Sequence, residues 1–246
     1  MKILVPISKV PDTTSKIAFT DGDSKFSEEG IQWIVNPYDE WYALVRALEL
    51  VEAGGGTVTV INVGDATSDP VIRKALALGA HEAVRIDVNP ADSYVIAKEI
   101  SVYAADKGFD MVLLGKETIS YNGSEVGGML AEFMNLPYIS LASKLEVNGD
   151  TATLDRAIEG GSEVVEVKLP LVASASKGMA EQRIPNMRGI MAARSKPLTV
   201  VPASGAEAKT AYVKYGLPAP KSAVKLVDAE NMDELVRLLH EEAKSI

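Results

Sequence analysis

Residues 112–128 read VLLGKETISYNGSEVGG. An apolar run ends at Gly115, a polar loop follows, and a helix is expected to open near Asn122 or Gly123 and run over 123–134. Val126, Met129, Leu130 and Phe133 then recur at helical spacing. A strand–loop–helix of this kind turns backbone N–H groups of a helix end toward the loop, an arrangement that suits a phosphate. Gly123, Gly127 and Gly128 allow close approach by a ligand or a neighbouring strand. The stretch is neither a P-loop nor a G-x-G-x-x-G fingerprint, so its residues alone leave an anion site and a plain tight turn both open.

Similar units lie on either side. Residues 2–7 (KILVPI), 57–63 (TVTVINV), 83–87 (AVRID), 110–115 (DMVLLG) and 138–142 (YISLA) read as short buried strands. Helical patterns separate them: 38–53, stopped by Gly54–Gly56; a segment opened by Pro70 and closed by Gly79; and 91–107, closed by Gly108. Strands alternating with helices predict an α/β fold with a parallel sheet covered on both faces and ligands beyond the carboxyl ends of the strands. Those ends are Pro6–Asp12, Val63–Asp65 and Gly115–Ser124. Past residue 144 the pattern changes. Residues 145–149, 151–158 and 162–169 alternate apolar and polar around Asn148-Gly149 and Gly160-Gly161, as hairpin strands do. Residues 171–176 return to an apolar run, 177–230 show little periodicity, and an amphipathic helix spans about 231–244 with Asn231 as N-cap. A long arm ending in an apolar-faced helix fits packing on another chain or folding back on its own domain.

Composition narrows the chemistry. The 246 residues are 47% hydrophobic and carry 25 Lys and Arg against 34 Asp and Glu, a net charge of -9. That balance argues against general nucleic-acid binding. Without cysteine there is no disulfide, thiolate metal site or cysteine nucleophile. His81 and His240 lie too far apart in sequence to suggest a catalytic pair. No apolar run approaches the roughly 20 residues of a membrane span, and a soluble, cytoplasmic protein is expected. Two further segments stand out. Asn36-Pro37-Tyr38-Asp39 has the residue types of a helix start: Asn as cap, Pro pre-shaped, Asp at the positive end. Lys177–Lys196 sets Arg183, Arg188, Arg194 and Lys196 among Met179, Ile184, Met187, Ile190 and Met191. Adaptable apolar side chains with positive charge, in an acidic protein, suit docking of acidic partners.

Taken in order, several segments resemble the electron transfer flavoprotein beta subunit over nearly the whole chain. They are Lys9-Val10-Pro11-Asp12-Thr13, Asn36-Pro37-Tyr38-Asp39, Ala75-Leu76-Ala77-Leu78-Gly79-Ala80, Gly115-Lys116-Glu117-Thr118-Ile119 with Gly123 and Gly127, Gly160-Gly161, and Arg188-Gly189-Ile190-Met191-Ala192-Ala193-Arg194. The resemblance implies a five-stranded parallel sheet of the adenine-nucleotide-binding, Rossmann-like type, with a small antiparallel addition and a C-terminal arm that embraces an alpha subunit. It divides the chain into a nucleotide-binding domain over 1–200 and an arm over 201–246. It implies AMP at Pro6, Asn36, Pro37, Tyr38, Asp39, Val63, Gly115, Lys116, Thr118, Ile119, Asn122, Gly123, Ser124, Glu125 and Val126. It implies an FAD held mainly by the alpha subunit, with Thr13 and Tyr38 near its ring. No residue of this chain is implied as catalytic: the chain is an electron carrier whose redox chemistry belongs to the flavin.

The 177–196 stretch corresponds to the family's partner-recognition loop, implying docking through Ile184, Met187, Arg188, Ile190, Met191 and Arg194. Partners implied are acyl-CoA or other flavin dehydrogenases, and a quinone oxidoreductase as acceptor. Met187 stands where Leu is usual. The loop Ser120–Glu125 is less acidic than in many relatives, and Ala157 follows Arg156 where an acid often stands. Some family members bifurcate electrons and hold a second FAD in place of AMP. A stand-alone adenine-nucleotide-binding module is a further alternative.

Overall fold

A computed structural model describes residues 1–221 and 223–246. In chain order the elements are β1 (Lys2–Pro6), β2 (Lys9–Pro11), β3 (Phe19–Thr20), β4 (Lys25–Phe26), β5 (Trp33–Val35), α1 (Asp39–Gly54), β6 (Thr57–Val63), a 3-10 turn (Ala66–Ser68), α2 (Asp69–Leu78), β7 (Glu82–Asp87), α3 (Ser93–Ala104), β8 (Met111–Gly115), α4 (Val126–Met134), β9 (Tyr138–Asn148), β10 (Thr151–Ile158), β11 (Gly161–Lys168), β12 (Leu171–Ala175), α5 (Met187–Ala193), β13 (Leu198–Pro202) and α6 (Met232–Glu241). They divide into two compact units, one of residues 1–16 and 27–213, the other of 17–26 and 214–246.

The larger unit is built on one sheet of nine strands in the order β11-β10-β9-β12-β8-β1-β6-β7-β13. Neighbours from β9 to β13 pair parallel, and β9, β10 and β11 pair antiparallel. Seven strands thus pair parallel where five were expected, and β10 and β11 form the expected antiparallel addition. β12 inserts between β9 and β8, and β13 adds an outer strand beside β7. The segments 138–142 and 145–149 are one strand: its first half lies parallel to β12 and its second half antiparallel to β10. That change of partner comes with a backbone irregularity at Leu141, whose φ is 57°.

Helices cover both faces, as parallel strands require. Leu44 and Leu48 of α1 and Ile72 and Leu76 of α2 pack on Val5, Val58, Val60 and Leu113. On the other face, Ile100 of α3 and Leu130 of α4 pack on Leu4, Ile61, Val112 and Leu114. Each fully buried Leu or Ile contributes about 1.5–3 kcal/mol. Three helices are shorter than the sequence suggests: α3 spans Ser93–Ala104, α4 begins at Val126 rather than 123, and α6 covers Met232–Glu241. The region expected to lack periodicity contains α5 and β13.

In the smaller unit, β3 and β4 form a short hairpin. The Phe19 ring stacks on Tyr215 at 5.0 Å, and the Tyr215 amide donates to the Asp23 carbonyl at 2.8 Å. Asn231 caps α6 as its sequence position predicts, accepting from the Glu234 amide at 3.2 Å. Arg237 pairs with both Glu234 and Glu241 at 2.8 Å. Among the described residues, no helix is long and apolar enough to cross a membrane.

Candidate functional site

Strand order reverses direction at β1. From β1 the chain moves to β6 and β7 on one side, then returns to place β8 on the other. With α1 on one face and α3 on the opposite one, the connecting segments diverge and open a crevice beyond the carboxyl ends of β1 and β8. Three pieces of chain meet there: Ser8 after β1, Asn36–Glu40 at the start of α1, and Lys116–Asn122 after β8.

Asn36 joins them. It is fully buried; its Nδ2 donates to the Glu117 carbonyl at 3.0 Å and its Oδ1 accepts from the Ile119 amide at 2.9 Å. Its own amide donates to the Ser8 carbonyl at 3.0 Å. The helix-cap reading of Asn36 is thus overturned. Its side chain is committed to the loop after β8, and Tyr38 occupies the cap position of α1 with no side-chain cap bond. Tyr38 holds φ at 64°, a strained value for a residue with a Cβ, and its ring is 61% exposed.

Glu40 lies below the crevice. Its Oε2 accepts from the Ser8 amide at 2.6 Å, and its main chain presses on β8: a Cβ at Gly115 would stand 2.7 Å from both the Glu40 amide nitrogen and its Cγ. Gly115 is therefore required for the seating of α1. Burial pushes the Glu40 carboxyl up to about 8, against the opposing pull of the Ser8 amide. Asp39 is also raised, first by burial, with the Lys116 ammonium pulling down and Glu117 pushing up. Glu117 is held low, chiefly by the Ser124 hydroxyl, which donates to its Oε2 at 2.8 Å.

Above these groups is a hollow of about 280 Å³, lined by Pro37, Tyr38, Asp39, Tyr42, Lys116, Glu117, Ile119, Asn122 and Lys177. The structure thus brings together most of the candidates from the Asn36 and Lys116 segments. Pro6 and Val63 are buried at their strand ends beneath the crevice. Gly123, Ser124, Glu125 and Val126 lead from Asn122 into α4, with positive φ at Asn122 and Ser124. The first turn of α4 has no side-chain cap, which leaves its amides available to a ligand. Thr118 follows Glu117 in the loop, and Thr13 is exposed in the turn after β2, where Asp12 accepts from Thr14. Two lining residues, Tyr42 and Lys177, lie outside the segments that the resemblance assigns to the nucleotide. Tyr42 is one helical turn after Tyr38, and Lys177 follows β12, whose place beside β8 the sequence does not announce.

The partner-loop candidates form a second locale. α5 sits on α2 so closely that a Cβ at Gly189 would lie 2.3 Å from the Ala77 carbonyl oxygen. Arg73 donates to the Ala193 and Lys196 carbonyls, Lys196 donates to the carbonyls of Leu76 and Ala80, and Asn186 caps α5 through the Gly189 amide. Trp41 binds the Arg183 carbonyl at 3.1 Å, and Arg183 pairs with Glu52 through two bonds. On this fixed base Ile184 and Met187 stand 80% and 73% exposed, with Arg188, Ile190, Met191 and Arg194 also at the surface.

Residues 23–206 match the family described as Electron transfer flavoprotein domain. A protein of Bacillus subtilis named electron transfer flavoprotein subunit beta is 37% identical, with each chain covered over 100% of its length. The chain belongs to the beta subunits of the electron transfer flavoprotein family. The same name is carried by a Syntrophomonas wolfei relative at 34% identity, covering 93% of this chain and 90% of that one. It is carried also by one from Sus scrofa at 28%, covering 98% and 97%. The matched region takes in α5 and the crevice segments Asn36–Glu40 and Lys116–Asn122, while β1 and Ser8 precede it. The family name marks an electron carrier.

Proposed function

We propose that this chain is the nucleotide-holding beta subunit of a heterodimeric electron transfer flavoprotein. It binds AMP in the crevice between β1 and β8 and helps hold an FAD carried mainly by an alpha subunit. The observation that carries the reading is the hollow itself. It lies where strand order reverses, between Asn36–Asp39 and Lys116–Asn122, beside a helix start with no side-chain cap.

The donor set fits a nucleoside monophosphate. Amides from Asn122 to Val126 suit the phosphate, with Lys116 as a cation nearby; Tyr38 and Ile119 supply apolar surface; Asp39 can accept from a ribose hydroxyl. Pro6, Pro37, Val63, Gly115 and Thr118 shape the walls and floor, and Gly123, Ser124 and Glu125 shape the loop leading into α4. Exposed Tyr38, together with Thr13, is suited to meet the flavin of the assembled protein. The flavin supplies the electron-carrying chemistry when bound, and this chain supplies position, shielding and charge.

Docking of electron-donating flavin dehydrogenases, among them acyl-CoA dehydrogenases, is assigned to Ile184, Met187, Arg188, Ile190, Met191 and Arg194. A quinone oxidoreductase is the proposed acceptor. An apolar anchor on a rigid base, ringed by cations, has the make-up of a binding hot spot. The test is Met187→Ala in the heterodimer. Flavin content should be unchanged, while the rate of flavin reduction by a partner dehydrogenase should fall about tenfold or more, the cost of truncating a buried anchor. Unchanged transfer would remove the docking role of α5.

A further inference from the structure

Residues 204–212 leave β13 and run across α3 without regular secondary structure. Two buried acids hold them. Glu99, in α3, accepts from the Ser204 amide at 2.7 Å, the Ser204 hydroxyl at 2.9 Å and the Ala206 amide at 3.0 Å. Asp92 uses one oxygen to cap α3 through the Val95 amide at 2.9 Å. The other accepts from the Lys209 and Thr210 amides at 2.6 and 2.9 Å. The Lys209 ammonium lies 5.1 Å over the Tyr94 ring. Two residues past this anchorage, the Tyr212 ring stacks on Tyr121, with centroids 4.8 Å apart and planes 24° from parallel.

Tyr121 is at the middle of loop 118–125. This loop contributes Ile119 and Asn122 to the hollow and carries positive φ at Asn122 and Ser124. A loop with two such residues stays in one conformation only if its surroundings fix it. Asn36 fixes its start, and the Ser124–Glu117 bond fixes its end. The tyrosine stack bears on the part between.

We propose that Tyr212 is a positioning residue for this loop: seated by Asp92 and Glu99, it acts through Tyr121 to hold the amides and side chains of 118–125 in the geometry that receives the nucleotide. The proposal rests on the reading of the hollow as a nucleotide site and adds a residue outside every segment assigned to that site.

The experiment compares the full-length chain with Tyr212→Phe and Tyr212→Ala, reading hydrogen exchange of the 118–125 amides and AMP affinity by calorimetry. The alanine variant should exchange faster in 118–125 but not in β1 or β6, and should bind AMP about 2- to 10-fold more weakly, the range of one stacked aromatic pair. The phenylalanine variant, which keeps the stack, should match the wild type in both. Unchanged loop exchange in Tyr212→Ala overturns the proposal. So does unchanged AMP affinity in a variant whose loop has loosened, or a phenylalanine variant that behaves like alanine. If no form binds AMP, the nucleotide reading fails by itself, and the exchange comparison still decides whether Tyr212 positions the loop.

Discussion

Glu40 sits at the junction of the strand end, the helix start and the glycine that lets them touch. Its ordinary value is 4.5 and burial raises it to about 8, so the folded state holds a proton that the unfolded chain has released across that interval. Because the folded form binds more protons there, stability falls as pH rises from about 4.5 through 8 and levels off above it. Replacing Glu40 by Gln retains an acceptor for the Ser8 amide and removes the titration. Thermal unfolding followed from pH 5 to 9 should therefore show a decline in the wild type worth a few kcal/mol. The curve for Glu40→Gln should be flatter; parallel curves for the two proteins would dissociate the pH effect from this carboxyl. Asn36 shows what the sequence does and does not disclose at this scale. Its segment was legible as important, since Asn-Pro-Tyr-Asp before an apolar-periodic run marks a helix start. The side chain instead reaches residues 117 and 119, a long-range choice that local pattern cannot express.

At the scale of elements, α5 depends on a close approach to α2. Adding a Cβ at Gly189 would bring it 2.3 Å from the Ala77 carbonyl, a backbone atom with little room to retreat. Gly189→Ala should displace α5, cost roughly 1–3 kcal/mol as overpacking does, and weaken partner docking while leaving nucleotide content intact. A variant with wild-type stability and docking would contradict the packing account. Elements of this kind are also those hardest to read in sequence. α5 spans only Met187–Ala193, two turns, too short for a helical period to declare itself. β13 is half exposed at the sheet edge, so its Leu-Thr-Val-Val run lacks the apolar flanks of a buried strand. By contrast β1, β6 and β8 are apolar nearly throughout and were legible for that reason, as were the Pro70 and Gly79 limits of α2.

At the scale of the whole molecule, seven strands pair parallel where five were expected because chain distant in sequence returns to the sheet: β12 inserts beside β8, and β13 extends the β7 edge. Non-local pairing of this sort is invisible to periodicity. The segment after β13 is then tied down by Asp92 and Glu99. Burial alone would raise both, but the amides of Val95, Thr210 and Lys209 for Asp92, and of Ser204 and Ala206 for Glu99, hold them below their ordinary 3.8 and 4.5. For carboxyls held low in the fold, the stabilisation is present above the unfolded values and is lost as pH falls through the folded ones. Acidification below pH 4 should therefore loosen residues 204–212 before the sheet. Hydrogen exchange at stepped pH would show that order, and simultaneous loss would argue against a separate tie. Asp92 and Glu99 were missed in the sequence because their partners lie more than a hundred residues away.

The proposed mononucleotide seat in the crevice between β1 and β8 is a property of the assembled protein and is tested there. The direct test is to co-express the chain with its candidate alpha subunit, release the bound ligands with acid, and count AMP and FAD per heterodimer by chromatography. One AMP and one FAD per heterodimer are expected. Two FAD and no AMP would contradict the proposal and make the crevice a redox centre.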